Sequence, residues 1–372
     1  MVKAFKYRIY PKKSQQSRLN QTLDECRWLY NHLLEQRKTE WEAHQHSLSC
    51  FEQQRMYTTL KTERPSLRDA HSQVLQNVAV RIDLAFQAFF RRVKNGEKPG
   101  YPRFRGKHRY DSITYPQYGN GAKVNSNGSL FLSKIGCVKM IYHRSIEGTP
   151  KSVTLRRSAT GKWYATIACE VEFQRLPDNP HEIGIDVGLT HFAVLSNGEK
   201  IDNPRFFRTE ETELTKAQRK LSKAKEAKNQ RLVERFKKIV ARIHERIAFK
   251  RHNFIHQHSR KIIDANGLIA VEDIQVNRMV HNHCLAKSIH DAAWSGFFST
   301  LSYKAEYAGR KFVAINPAYT SQNCSNCGHR QKMELSERVY RCHCCHIELD
   351  RDLNASLNIL ALGRQCLLEK SN

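Results

Sequence analysis

Residues 181–201, HEIGIDVGLTHFAVLSNGEKI, carry two apolar runs separated by a glycine and followed by a polar turn. That pattern predicts a β-hairpin, with Asp186 on its first strand between Gly184 and Gly188. Glycines beside an acid leave room for another backbone, and the expected visitor is a nucleic-acid phosphate backbone. An aspartate in a strand is also an ordinary ladder or turn residue, so its meaning depends on what else the chain supplies.

Two further segments supply acids. Residues 262–276, IIDANGLIAVEDIQV, read as a buried strand ending in Glu272 and Asp273. Residues 349–363, LDRDLNASLNILALG, place Asp350 and Asp352 at the start of a helix bearing Leu353, Leu357 and Leu360. Helix N-termini attract acids as caps, which accounts for one of those two aspartates but not for three acid-bearing elements. Hard carboxylate oxygens suit divalent cations of the magnesium class, and a pair of such ions can activate water and stabilise a leaving oxygen in phosphodiester hydrolysis. A mixed sheet with helices is the scaffold on which such distant acids converge. Between the first two segments, residues 211–260 are rich in Lys, Arg, Glu and Gln. Leu232, Phe236, Ile239, Ile243 and Ile247 recur there near helical spacing, predicting a long helical hairpin with one face packed and one positively charged.

CSNCGHR at 324–330 and CHCCH at 342–346 form two knuckles. Cys324, Cys327, Cys342 and Cys345 give a four-thiolate set that favours zinc and leaves no open position for water, so the metal is expected to be structural. Cys344 is surplus, and His329, His343 and His346 are the substitute ligands. The other six of the eleven cysteines are scattered, as thiols of a reducing compartment are, which argues against a secreted disulfide protein.

The N-terminal half reads differently. Residues 3–10 alternate like a strand ended by Pro11, and Leu19, Leu23, Trp28, Tyr30, Leu33 and Leu34 recur at helical spacing. Val74, Leu75, Val78, Ile82, Leu84, Ala85, Phe86, Phe89 and Phe90 predict a long helix whose broad apolar face is core. In residues 91–110, RRVKNGEKPGYPRFRGKHRY, eight Lys/Arg meet one acid, with Tyr101, Phe104 and Tyr110 interleaved. Cations for phosphates and rings for unpaired bases make this a nucleic-acid strip, against the plainer reading of a solvated loop. Short β-like runs over 112–172 predict a small sheet or barrel, with the helices of 13–95 inserted near its first strand.

Composition agrees with these local readings. The chain has 372 residues, with 62 Lys+Arg against 36 Asp+Glu, a formal charge of +26. Both halves are basic, which points to a polyanion contacted along the whole molecule and excludes a neutral enzyme with a basic tail. No window approaches about 18 consecutive apolar residues, and the N-terminus lacks an apolar leader, so no membrane partner and a cytoplasmic location are expected.

In order and spacing, KYRIYPKKSQQ, IGIDVGLTHFAV, VEDIQV, WSGFFSTLSYKAEYAGRKFVAINPAYTSQNCSNCGHR and LDRDLNASLNIL resemble the TnpB family, transposon-encoded relatives of the type V CRISPR effectors. The resemblance covers nearly the whole chain. It implies an α/β multidomain fold: a wedge-like β-barrel (1–12 and 105–177) with an inserted helical recognition domain (13–104). A RuvC-like nuclease domain of the RNase H class (178–319 and 348–372) would follow, interrupted by a four-cysteine zinc ribbon (320–347). It also implies an RNA-guided DNA endonuclease encoded by an insertion sequence, cutting beside a short target-adjacent motif. The partners would be a guide RNA derived from the transposon end, one protein per RNA, and target DNA; the complex would associate with the nucleoid when bound.

Carried over by motif, the catalytic and metal-binding triad is Asp186 from GIDVG, Glu272 from the VED strand and Asp352 from DLNAS. Asp352 is preferred to Asp350 because the D-x-N-A pattern falls on Asp352, Asn354 and Ala355. The implied cofactors are structural Zn²⁺ and two catalytic Mg²⁺ or Mn²⁺ ions, one helping to generate the attacking hydroxide and both stabilising charge on the scissile phosphate, with 5′-phosphate and 3′-hydroxyl ends expected. Two departures from the pattern stand out: His346 where the family usually has glycine, and Cys344 inside the second knuckle. The intact carboxylates weigh against a nuclease-inactive RNA-guided regulator. A transposase acting directly in strand transfer also competes, although no tyrosine or serine nucleophile stands out for that role. A zinc-ribbon binding protein without catalysis would leave the three acid-bearing elements unexplained.

Overall fold

The computed structural model describes residues 1–369 apart from 108, 174, 280, 282, 335 and 336. The chain divides into two units, Met1–Glu172 and Phe173–Asn372.

In the first unit, β1 (Val2–Tyr10) leads into α1 (Lys13–His44), α2 (Cys50–Arg55), α3 (Tyr57–Glu63) and, after a 3-10 turn at Pro65–Asp69, α4 (Ser72–Lys94). Six strands follow: β2 (Ser112–Tyr115), β3 (Ala122–Val124), β4 (Leu130–Leu132), β5 (Gly136–Met140), β6 (Thr149–Arg157) and β7 (Trp163–Glu170). They join β1 in an antiparallel, barrel-like sheet of order β2-β6-β7-β1-β5-β4-β3. The helices enter the chain after a strand that lies mid-sheet, held by β7 along Val2 to Ile9. Phe5, Tyr7 and Ile9 of β1 and Trp163, Ala165 and Ile167 of β7 alternate into one core, as period-two patterning requires.

The long helix α4 departs from its expected role. Val74, Leu75, Val78 and Ile82 are buried, but Leu84 and Phe90 are 56% and 58% exposed. Periodicity fixes which face of a helix is apolar, not how far a neighbour extends along it.

The second unit is built on β8 (Glu182–Val187), β9 (His191–Leu195) and β10 (Lys200–Asp202), then α5 (Phe206–Glu226), α6 (Gln230–Ala265) and β11 (Leu268–Glu272). Next come α7 (Val276–Met279), α8 (His283–Ala292), α9 (Trp294–Ala308), β12 (Lys311–Ile315), β13 (Val339–Arg341), β14 (Glu348–Asp350) and α10 (Arg351–Glu369). The five-stranded sheet runs β10-β9-β8-β11-β12, with β8, β11 and β12 parallel and the β8–β9 hairpin antiparallel.

Side-chain parity sets what each face of this sheet does. Ile183, Ile185, Ile269 and Val271 join a core with Ile262 and Ile263 of α6 and Phe297 and Leu301 of α9. Leu268 and Ala270 instead pack with Ile359 and Leu360 of α10. A central strand buried on both faces explains the near-continuous apolar runs of β8 and β11. Gly184 lies on the α10 side: a Cβ there would come within 2.1 Å of the Ser356 carbonyl oxygen and 2.8 Å of the Leu360 nitrogen. The space beside Gly184, expected to admit a phosphate backbone, is thus taken by the helix backbone. On the same face, Gly363 similarly leaves room for Ala270. Among the described residues, no helix is long and apolar enough to cross a membrane.

Candidate metal centre and carboxylate site

The register of the parallel strands brings two of the three acids together. β8 and β11 pair Ala270 with Gly184 and Val271 with Ile185, so the next step sets Glu272 beside Asp186. Paired residues of parallel strands point to one face, and parity places both acids on the α10 side. Helix α10 supplies the third. Its Ser356 and Leu360 lie over Gly184, and Asp352 is one helical turn before Ser356. A turn of helix rises about 5.4 Å and two strand residues about 6.6 Å, so Asp352 advances along the sheet with Asp186.

The electrostatics report the same convergence. Burial of its carboxyl, followed by the negative charges of Glu272 and Asp352, pushes Asp186 well above the ordinary aspartate range; Arg351 and the Val187 amide oppose the shift. Burial also raises Glu272, against a bond from the Thr320 hydroxyl. The carboxylates are near enough to perturb Asp186, yet among the described residues only the four cysteines bring three or more ligand atoms within 4.8 Å of one another. Clustered anions of this kind are relieved by a hard cation, so the oxygen donor set fits a magnesium-class ion.

Asp350 and Asp352 separate by role. Asp350 Oδ1 accepts the backbone N–H groups of Asp352 (2.9 Å) and Leu353 (3.2 Å), capping α10. Its Oδ2 accepts Lys200 Nζ at 2.6 Å. Burial works to raise this carboxyl, but the Lys200 bond and the two amides hold it below the ordinary range. Asp350 is therefore committed to the helix cap, leaving Asp352 as the acid whose charge reaches Asp186.

The cysteine cluster is clamped to the same helix. The sulfurs of Cys324, Cys327, Cys342 and Cys345 all lie within 4.8 Å of one another, a set fitted to one tetrahedral soft metal. Cys344 is exposed and, like His329, His343 and His346, lies outside the group. Cys342 Sγ accepts the amides of Cys344 and Cys345, both at 3.4 Å, and these bonds lower its thiol toward the thiolate form. Asn354, fully buried, bonds the Asn323 carbonyl (2.8 Å) and accepts the Ser325 amide (2.9 Å). Asn358 reaches the carbonyls of Thr320 (2.8 Å) and Asn323 (2.7 Å). Sequence reasoning identifies neither asparagine nor Thr320 as a site residue. Three bonds to loop carbonyls are invisible without the fold, although the D-x-N-A pattern marks Asn354.

The two knuckles share a turn that needs positive φ: Gly328 follows Cys327 at φ +74°, and His346 follows Cys345 at φ +57°. An L-residue in this left-handed region costs about 1–2 kcal/mol, partly offset because glycine loses more entropy on folding. His346→Gly is accordingly expected to stabilise the metal-loaded chain by roughly 0.5–1 kcal/mol. Competition against a zinc chelator measures it; weaker zinc retention would contradict the strain argument.

In the first unit, the basic strip splits. Tyr110 is buried beside Tyr30 and Arg81 and is not available for base stacking. Tyr101 meets Phe86 and Phe89 edge-on at 5.6 Å while staying half exposed, and Phe104 is exposed. These two rings, among the arginines and lysines of 91–109, are what the strip presents to solvent.

Acids at the ends of adjacent parallel strands, a third acid on the covering helix and four thiols clamped to that helix define an α/β protein with two distinct candidate metal centres. Comparison with known proteins gives its family. Residues 166–283 match a family described as "Probable transposase", and residues 294–359, with all four cysteines and Asp352, match "Cas12f1-like, TNB domain". Residues 1–46 match "Helix-turn-helix domain", although here they form strand β1 and the single helix α1. A "Putative RNA-guided DNA endonuclease" of Streptomyces pristinaespiralis is 35% identical over 97% of this chain and 89% of its own length. "Putative RNA-guided DNA endonuclease InsQ" of Escherichia coli (strain K12) is 29% identical over 98% of this chain and 93% of its own. A solved complex of Cas12f1 with sgRNA and target DNA overlaps loosely, with a TM-score of 0.36 and 16% identity, covering 97% of this chain and 99% of that one. The chain belongs to the TnpB family.

Proposed function

We propose that this chain is an RNA-guided DNA endonuclease encoded by an insertion sequence, with Asp186, Glu272 and Asp352 as its catalytic carboxylates. The observation that carries the reading is the convergence of three acids from distant segments, Asp186 and Glu272 side by side on the α10 face of the sheet and Asp352 on α10 itself, close enough to push Asp186 upward. Structural ion-pair networks neutralise their acids with lysine or arginine, as Asp350 is by Lys200. Here burial and the two neighbouring acids outweigh the opposing charge of Arg351, and a carboxyl left raised in this way on one face of a sheet marks a functional site.

Divalent Mg²⁺ or Mn²⁺ held by the three carboxylates would supply an activated water and positive charge against the scissile phosphate. The protein's own part is placement. The sheet fixes Asp186 and Glu272, the Asp350 cap fixes the first turn of α10 and with it Asp352, and the Thr320 hydroxyl orients Glu272. Cys324, Cys327, Cys342 and Cys345 would hold Zn²⁺, which would close the ribbon without entering the reaction. The barrel-like sheet of the first unit is assigned as the wedge, α1 to α4 as the recognition helices, and the second unit as the RuvC-like domain interrupted by the ribbon. The guide RNA would come from the transposon end, one protein to each RNA. Its pairing with target DNA would supply sequence specificity, while protein contacts read only the short flanking motif.

The test is to purify the chain with co-expressed RNA, sequence that RNA, and challenge the complex with a DNA library randomised beside the target in Mg²⁺. A discrete RNA and cut products bearing 5′-phosphates next to one flanking motif are expected. No discrete RNA would sink the guide; binding to a verified target without cutting would indicate a regulator, and joined DNA products a transposase.

A further inference from the structure

Thr320 stands where the two candidate metal centres meet. It is 4% exposed, and its hydroxyl lies 2.5 Å from Glu272 Oε1. The Pro317 carbonyl is farther, at 3.2 Å, so the single hydroxyl proton is directed at the carboxylate, where a charge-assisted bond is strongest. The Thr320 main chain is gripped separately. Its carbonyl accepts Asn358 Nδ2, whose second proton goes to the Asn323 carbonyl, immediately before Cys324. Asn323 in turn receives Asn354, which also binds Ser325, immediately after Cys324.

The turn that delivers Thr320 is strained. Tyr319 adopts φ +66°, with the Arg330 guanidinium 3.8 Å from its ring centroid. The amides of Gln322 and Asn323 both return to the Tyr319 carbonyl, at 2.9 and 3.0 Å. A non-glycine residue held left-handed beside a buried hydroxyl is backbone strain kept in place by its surroundings, and such strain gathers at functional sites.

We infer that Thr320 is a positioning residue: its hydroxyl fixes the Glu272 carboxylate for a divalent cation, and its backbone ties that orientation to the folded cysteine ribbon. This rests on the assignment of Glu272 as a metal ligand. A cap-like role confined to the 317–323 turn would need no contact with Glu272. Groups that orient a ligating carboxylate change metal affinity by about 10–100-fold when removed.

The test uses the full-length, zinc-loaded chain and follows Mn²⁺ binding by electron paramagnetic resonance. Thr320→Val keeps the shape and deletes the proton; it is expected to weaken Mn²⁺ binding about 10-fold with zinc content unchanged. Thr320→Ser should restore affinity to within about threefold, since it returns the same donor. In the guide complex, Thr320→Val should raise the Mg²⁺ concentration needed for half-maximal cleavage while leaving RNA affinity unaltered. If Thr320→Val binds Mn²⁺ as wild type does while Glu272→Gln does not, positioning is refuted and the ligand assignment survives. If Glu272→Gln binds Mn²⁺ as wild type does, the ligand assignment itself falls and the inference with it. Loss of zinc from Thr320→Val would also overturn it, in favour of a structural role in the ribbon.

Discussion

Asp186→Ala is expected to lower DNA cleavage by on the order of 10³-fold, about 4 kcal/mol of barrier, while RNA and target binding stay within about twofold. The asymmetry follows from position. Asp186 lies near the end of a central strand and faces Glu272 and Asp352, so its removal deletes a proposed cation ligand without touching the basic surfaces that hold nucleic acid. Asp186→Asn, which keeps the shape, should be equally inactive, and cleavage retained by either variant would reject the assignment.

The same carboxyl has a signature in stability. Its folded pKa lies above the unfolded value, so the folded state binds that proton more tightly. Stability from this group is present below the ordinary aspartate value of 3.8 and is lost as pH rises through the raised folded value. Glu272 adds a slope of the same sign above 4.5. Zinc-loaded protein without magnesium should therefore lose thermal stability with rising pH in this window. Asp186→Asn should flatten the loss, and added Mg²⁺ should reverse it. Asp350, held below its ordinary range, acts oppositely: its contribution is present above 3.8 and is lost as pH falls through its lowered folded value. Thermal melts of wild type and Asp186→Asn across the acid-to-neutral range measure the difference; identical slopes would refute the electrostatic account.

Much of this site was legible in the sequence because it rests on local rules. Alternation and turn residues fix the β8–β9 hairpin, and the pairwise cysteine spacing marks the sulfurs that gather. What failed was inference about what lies opposite a residue. Gly184 reads as room for a visitor, but which backbone fills that room depends on the α10 crossing. Phe90 and Tyr110 are both aromatic residues near a basic run, yet one is exposed and the other buried, because packing partners are set by tertiary contacts. Asp350 and Asp352 are two residues apart, so a cap and a proposed ligand look alike until the amide bonds are seen. Thr320 has no local signal at all. Its partner Glu272 is 48 positions away, and a threonine in a loop is an ordinary turn former.

Removing one thiolate of the proposed zinc site should cost more than any other single change outside the carboxylates. The ribbon has little apolar support: Tyr340 is its one fully buried large side chain among the described residues, packed with Cys324, Cys342, Met333 and Ile347. Structural zinc contributes about 10–16 kcal/mol of apparent binding energy in small cysteine and histidine sites, comparable with the whole stability of a typical domain. Cys324→Ser is expected to empty the site and unravel the segment around residues 320–347. Asn354 and Asn358 would then lose their carbonyl partners at Asn323 and Thr320, and Glu272 its hydroxyl donor. Cleavage should fall even though Asp186, Glu272 and Asp352 are all present. Cys344→Ser is the control, since that thiol is exposed and outside the sulfur cluster. Zinc measured by a chromophoric chelator, with limited proteolysis, separates the outcomes. Cys324→Ser should lose zinc and open to protease between the knuckles while the sheet strands stay protected; Cys344→Ser should do neither. Full zinc stoichiometry in Cys324→Ser would exclude that sulfur as a ligand. Zinc loss with undiminished cleavage would instead show that the carboxylates hold their geometry without the ribbon, because the bonds from α10 to residues 320–325 are the route by which zinc loss would reach them.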